Sequence, residues 1–205
     1  MSEREGVVRH RAVHETAVLP AAWAPFAAVL AAWRRRFGER GWIGRDPARY
    51  GGYGFGNLSA RLPGVPGGAG FLVTGSQTGG AGGLPLAGFA QVERWSLADH
   101  RIWSRGEVAA SSESLTHAAL YEASPGIGAV FHVHAPEPWR RRRELGLPET
   151  APGAGYGTPA MAAEVVRAWA EGGGAVVAMA GHQDGLVAAG RTVDEAGERL
   201  LRLGF

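Results

Sequence analysis

Lysine and cysteine are both missing from this chain of 205 residues, whose 21 basic side chains are all arginine. Each absence removes a class of chemistry. Schiff-base aldol cleavage, pyridoxal phosphate anchoring and the Walker phosphate loop all need a lysine amine. Without cysteine there is no thiol nucleophile, Cys-ligated zinc, iron–sulfur cluster or disulfide, and the chain suits a reducing, cytoplasmic setting. Difficult chemistry is left to seven histidines, nineteen carboxylates, hydroxyl groups and any metal they hold.

Net charge is also scarce, at +2, so a nucleic-acid partner is not implied. A long hydrophobic run is nearly present. Ala17 to Trp33 is almost all apolar, yet it falls short of the roughly 20 residues of a membrane span and contains Pro20 and Pro25. Its large side chains, Trp23, Phe26, Leu30, Trp33 and Phe37, recur at steps of three and four, which marks one face of a core-packed helix. Arg34, Arg35 and Arg36 then read as its solvated end, and no membrane partner is expected. With 45% hydrophobic residues the chain has enough material for one core, so residues 1–205 are expected to form a single domain.

Glycine is abundant, 33 residues that sit mostly between apolar segments, and it predicts a compact fold with many tight turns. Loops are expected at 64–70 and 79–83. One hairpin joins Phe55–Leu62 to Phe71–Thr74, and another joins Val92–Leu97 to Arg101–Ser104 through Ala98, Asp99 and His100. Ser112 is read as the N-cap of a helix running to about Ala123. Ile127–His134 has strand composition. A helix opening at Pro136 and carrying Trp139 and Leu145, a helix Thr158–Glu171, strands 175–180 and 186–189, and a helix Thr192–Leu203 follow. The pattern predicts a mixed sheet covered by helices.

His132-Val133-His134 ends the Ile127–His134 strand. Residues two apart on a strand share a face, so both imidazoles project together and Val133 points the other way. Neutral imidazole suits zinc, iron, cobalt or nickel, and three histidines with an open position make a catalytic zinc site. His182, after the 175–180 strand, is the candidate third ligand. A strand His-x-His pair is also compatible with a polar core or surface pair, and His10, His14, His100 and His117 read as structural or exposed. Glu113 sits at the start of a helix. There it can act as metal neighbour and general acid/base, or simply as a carboxylate favoured by the helix dipole. Gly56-Asn57-Leu58-Ser59, Thr74-Gly75-Ser76 and Ser111-Ser112 offer hydroxyls, an amide and glycine-flanked N–H groups, the materials of an anion nest.

At these residues the sequence resembles the class II aldolase/adducin family of metal-dependent sugar-phosphate aldolases and epimerases. The resemblance rests on Gly56-Asn57-Leu58-Ser59-Ala60-Arg61, residues 71–76, Ser111-Ser112-Glu113, Val130-Phe131-His132-Val133-His134-Ala135 and Gly181-His182, in the family's order over roughly residues 20–203. It implies a three-layer α/β/α fold with a central mixed, largely antiparallel sheet. It implies that His132, His134 and His182 ligate one divalent metal per subunit, zinc first, with iron, manganese or cobalt as alternatives. By the same resemblance Glu113 is the acid/base, and Gly56, Asn57, Thr74, Gly75, Ser111 and Ser112 form the phosphate or anion site. A homotetramer is expected. The implied activity is aldol-type cleavage of a small hydroxylated carbonyl compound, with or without phosphate, through a metal-stabilised enediolate. The alternatives are epimerisation, dehydration or decarboxylation at the same site, or an adducin-like assembly module without catalysis.

Three departures bear on the substrate. The family's Asn-His-Gly is replaced by Gly181-His182-Gln183-Asp184-Gly185, so that Asp184 either orients His182 or serves as a turn residue. A C-terminal tail bearing a catalytic tyrosine is expected to have no counterpart. The run Trp139 to Arg143 reads either as recognition of an anion or a neighbouring subunit, or as a solvated helix face.

Overall fold

The structure, a computed structural model, describes residues 10–63, 70–80, 83–174 and 176–204. In chain order the strands are β1 (Arg11–Thr16), β2 (Gly44–Arg45), β3 (Gly54–Phe55), β4 (Asn57–Arg61), β5 (Phe71–Thr74), β6 (Phe89–Ser96), β7 (Arg101–Gly106), β8 (Ala129–His134), β9 (Val177–Ala178) and β10 (Gly185–Gly190). The helices are α1 (Ala24–Gly38), α2 (Ser114–Ala123), α3 (Pro136–Arg140), α4 (Pro159–Glu171) and α5 (Val193–Leu201).

Eight strands form one sheet in the order β1-β7-β6-β5-β4-β8-β10-β9, while β2 and β3 pair separately. Only the β1–β7 pairing in the large sheet is parallel. Alternation along each strand divides the apolar residues into two cores. Leu58, Phe131, Val133, Leu186 and Ala188 face α1 and α5, meeting Leu30, Trp33, Phe37 and Leu200. Phe71, Val130, Val187 and Ala189 face α2 and α4, meeting Leu115, Leu120, Met161 and Val165. The result is the mixed, largely antiparallel sheet between two helical layers that the resemblance implied. No helix among the described residues is long and apolar enough to cross a membrane.

Local differences from the sequence reading have identifiable causes. Arg34 is buried, because it lies four residues after Leu30 and three before Phe37 and so shares their face of α1; only Arg35 and Arg36 form the exposed end. Ser112 is not the N-cap of α2. A turn closed by Ser114 N–H donating to the Ser111 carbonyl (3.1 Å) comes first, and Glu113 occupies the cap position. The helix opening at Pro136 stops at Arg140 and gives way to turns. The 175–180 strand is short, Val177–Ala178, and its first residue lies outside the described residues, as do positions 64–69 and 81–82 of the expected loops. Thr158 and Thr192 cap α4 and α5, each accepting from a backbone N–H three residues on.

Candidate functional site

β8 lies between β4 and β10, with His132 opposite Asn57 on one side and Val187 on the other, and His134 opposite Gly185. Val133 belongs to the α1/α5 core, so His132 and His134 point to the α2 side of the sheet. His182 sits in the turn between β9 and β10. This turn is closed by Gly185 N–H donating to the His182 carbonyl (3.0 Å), with Asp184 at φ 63. Gly185 is needed there, because a Cβ would stand 2.7 Å from His182 Cδ2 and 3.3 Å from His132 Cε1.

The three imidazoles are buried, and one ligating atom from each lies within 4.8 Å of the others. His132 Nε2 and His182 Nε2 are 3.3 Å apart. His132 Nδ1 contacts the Leu186 carbonyl at 3.1 Å. A carbonyl only accepts, so the proton is on Nδ1, and Nε2 of the neutral ring keeps its lone pair toward His182. Burial lowers the pKa of His132 to about 4, partly opposed by the Leu186 carbonyl. Burial also holds His134 well below its ordinary value, reinforced by His182, His132 and Arg49. Three buried imidazoles converging in this way are a donor set that fits a divalent cation.

The other sequence candidates meet in one slot. Gly56, Asn57, Thr74, Gly75, Ser111 and Ser112 all line it, joined by Arg34, Ser76, Gln77 and Thr78. Asn57 Nδ2 donates to Ser111 Oγ (2.6 Å), tying β4 to the segment before α2. Thr74 Oγ1 accepts from Leu58 N–H (3.2 Å). Gly56 has φ +78, and a Cβ there would lie 2.7 Å from Ile43 Cγ1 and 3.1 Å from the His132 carbonyl. The slot's backbone therefore packs directly against the strand that carries the histidines. Arg34, which the sequence reading placed in solvent, reaches in from α1 and donates to the carbonyls of Thr78 (2.8 Å) and Gly79 (3.1 Å). The signal for it was the helical spacing from Leu30.

Glu113 follows Ser112 directly and is 1% exposed. Its Oε2 accepts from Thr116 Oγ1 at 2.8 Å. His117, one turn along α2, is wholly buried beside Ser59 Oγ (2.7 Å), and burial pushes its pKa far down, with His132 adding to the effect. Among the remaining histidines, His14 contacts Ser104 Oγ (3.0 Å) and His100 Nε2 donates to the Gly157 carbonyl (2.9 Å). His10 is buried near the Ser112 backbone.

Asp184 stands in the turn after His182, and its carboxylate accepts from Tyr50 O–H at 2.7 Å. Of the run Trp139 to Arg143, Trp139 donates to the Met179 carbonyl (3.1 Å) beneath the Arg142 guanidinium. Arg142 and Arg143 pair with Glu149. Arg140 is exposed at the rim of an open cavity of about 590 Å³ that also touches Gln183 and Asp184.

The family profile for the Class II Aldolase and Adducin N-terminal domain matches residues 28–138, a segment that includes the slot, Glu113, His132 and His134. No curated protein matches the sequence. Among solved structures, the fold is similar to that of YgbL from Escherichia coli, at 21% identity over 89% of this chain and 86% of that one, with a TM-score of 0.59. It is similar to an L-fuculose 1-phosphate aldolase at 18% identity over 91% and 84%, TM-score 0.64. The L-fuculose-1-phosphate aldolase from Thermus thermophilus matches at 20% identity over 88% and 89%, TM-score 0.55. At these identities the likeness is one of fold. With the profile covering more than half its length, the chain belongs to the class II aldolase and adducin N-terminal domain family.

Proposed function

We propose that this chain, acting as a single domain within a homotetramer, is a metal-dependent lyase of the aldolase type. Its substrate is a small hydroxylated carbonyl compound carrying an anionic group, phosphate or carboxylate. The observation that carries the reading is the buried trio His132, His134 and His182, set across one strand pairing from a slot of hydroxyls, amides and one guanidinium. A divalent cation held by those imidazoles, zinc first by donor type, supplies Lewis-acid polarisation of a substrate oxygen. The chain's own residues do the rest. Asn57, Thr74, Gly75, Ser111 and Ser112 bind the anionic group, and Arg34 supplies its counter-charge. Glu113 takes the proton released when a hydroxyl becomes a carbonyl and delivers it to the carbon freed by cleavage, so the reaction needs no net proton. With no lysine in the chain, an imine route is closed.

The test begins with metal content. Purified protein is expected to carry a stoichiometric divalent metal that the double variant His132→Ala/His134→Ala loses; absence of metal from the wild type, or its retention by the variant, overturns the reading. A panel of phosphorylated and free ketoses and hydroxy acids then separates fragment formation from epimerisation, dehydration or decarboxylation. Glu113→Gln is expected to keep the metal and lower turnover by about 10² or more. Unchanged turnover assigns Glu113 to the helix dipole alone.

A further inference from the structure

Four non-glycine residues among those described adopt positive φ: Tyr50 (49°), Gln77 (60°), His100 (53°) and Asp184 (63°). A tyrosine in this region is strained, and such strain persists where surrounding contacts hold it. Two of the four hold each other, since Tyr50 O–H donates to Asp184 Oδ2 at 2.7 Å. Arg49 Nη2 donates to the same phenol oxygen at 2.7 Å, which places one hydroxyl between a guanidinium and a carboxylate. Arg49 Nη1 is anchored on the Gly41 carbonyl at 2.6 Å.

The pair closes a ring around one imidazole. The Tyr50 ring meets His134 edge-on, with centroids 4.6 Å apart and planes at 68°. The Asp184 carbonyl accepts from Ala135 N–H at 2.8 Å, immediately after His134. Asp184 therefore grips Tyr50 through its side chain and the end of β8 through its main chain. Phe55 closes a further side of His134, 5.6 Å away between centroids. Nothing in the turn between β9 and β10 requires a tyrosine at this place, because its own backbone bond already closes it.

We propose that Arg49, Tyr50 and Asp184 form a positioning clamp that fixes the His134 ring and the His182 turn relative to each other, so that the three imidazoles are preorganised for the cation. Groups that orient metal ligands typically change metal affinity by 10- to 100-fold when removed. This inference rests on the metal reading above, and metal affinity measured on its own separates the two.

The experiment is competition for zinc, and for cobalt with its visible absorption as reporter, between a chromophoric chelator and the metal-free protein, wild type against Tyr50→Phe. Phenylalanine keeps the ring on His134 and removes only the bonds to Asp184 and Arg49. A zinc Kd raised about 10-fold or more and an altered cobalt spectrum are expected, with the urea midpoint of the metal-free protein lowered only by what the two lost hydrogen bonds contribute. Asp184→Asn, which tolerates positive φ, is the second variant, and the double variant is expected to be no weaker than the weaker single one. Wild type that binds neither metal overturns the metal reading itself. Wild type that binds while Tyr50→Phe binds equally well overturns the clamp, as does a double variant whose losses multiply. Unchanged Kd with reduced turnover overturns it too, since Tyr50 then touches substrate.

Discussion

Arg34 is the only charged side chain among the described residues that line the slot. Burial pushes its pKa down from the usual range, yet a guanidinium stays protonated, so the slot carries a fixed positive charge. A charge-assisted hydrogen bond to an anion contributes about 1.5–3 kcal/mol, or roughly 10- to 100-fold in affinity. Arg34→Gln is therefore expected to raise KM for an anionic substrate by about that factor while kcat changes little, because the lost interaction is present in ground and transition states alike. A neutral analogue of the same substrate is expected to lose nothing. Equal losses on both compounds would assign Arg34 to holding the Thr78 and Gly79 carbonyls instead. At this scale much of the site was readable. The slot residues were marked by glycine-flanked hydroxyls, and the histidine pair by its strand spacing. Asp184 was marked by its place beside His182, but Tyr50 as its partner was not readable, because a bond between residues 134 apart leaves no periodic trace.

At the scale of elements, the readable ones were those with a burial pattern or a turn signal: α1, α2, α4, α5, β8 and β10, and the hairpins β4–β5 and β6–β7. The edge strand β1 was missed, since its sequence Arg-Ala-Val-His-Glu-Thr is mostly exposed and its pairing to β7 is non-local. The two-residue strands β2 and β3 are too short to have a period. One helix contact shows why propensity alone misleads. Gly197 lies within α5, where alanine ordinarily gains about 1 kcal/mol over glycine. A Cβ there would stand 2.4 Å from Trp33 Cε3, and Trp33 cannot easily move, because its indole N–H donates to Asp194 Oδ1 at 2.8 Å. Overpacking of this kind costs about 1–3 kcal/mol, so Gly197→Ala is expected to be destabilising on balance. A lowered urea midpoint checks this; a raised one would mean that α1 and α5 part without cost.

Over the whole molecule, the sheet separates two cores and places the histidine trio at one strand end, so the site is as desolvated as the fold around it. The same burial has a consequence for acid stability at two histidines outside that trio. His10 is pulled down to about 4, chiefly by burial and also by His100, while the Ser112 backbone opposes. His117 lies well below its usual value for the same main reason. Both folded-state pKa values lie below the unfolded 6.5, so the unfolded chain binds more protons in between. Stability from this source is complete above pH 6.5 and is lost as the pH falls from 6.5 toward 4. For His10 the separation between 6.5 and about 4 corresponds to roughly 3 kcal/mol. Glu164, held low by Arg167 and the Ala151 N–H, and Glu195, held low by the backbone and side chain of Arg191, act with the same sign but below 4.5. The interval from 6.5 to 4.5 therefore reports on histidines. Urea midpoints across it are expected to fall for the wild type and to fall less steeply, by about one proton, for His10→Gln. His132, His134 and His182 contribute equally to both proteins and cancel in that difference. Parallel slopes would show that His10 takes up its proton without unfolding, in contact with water that the folded core is expected to exclude.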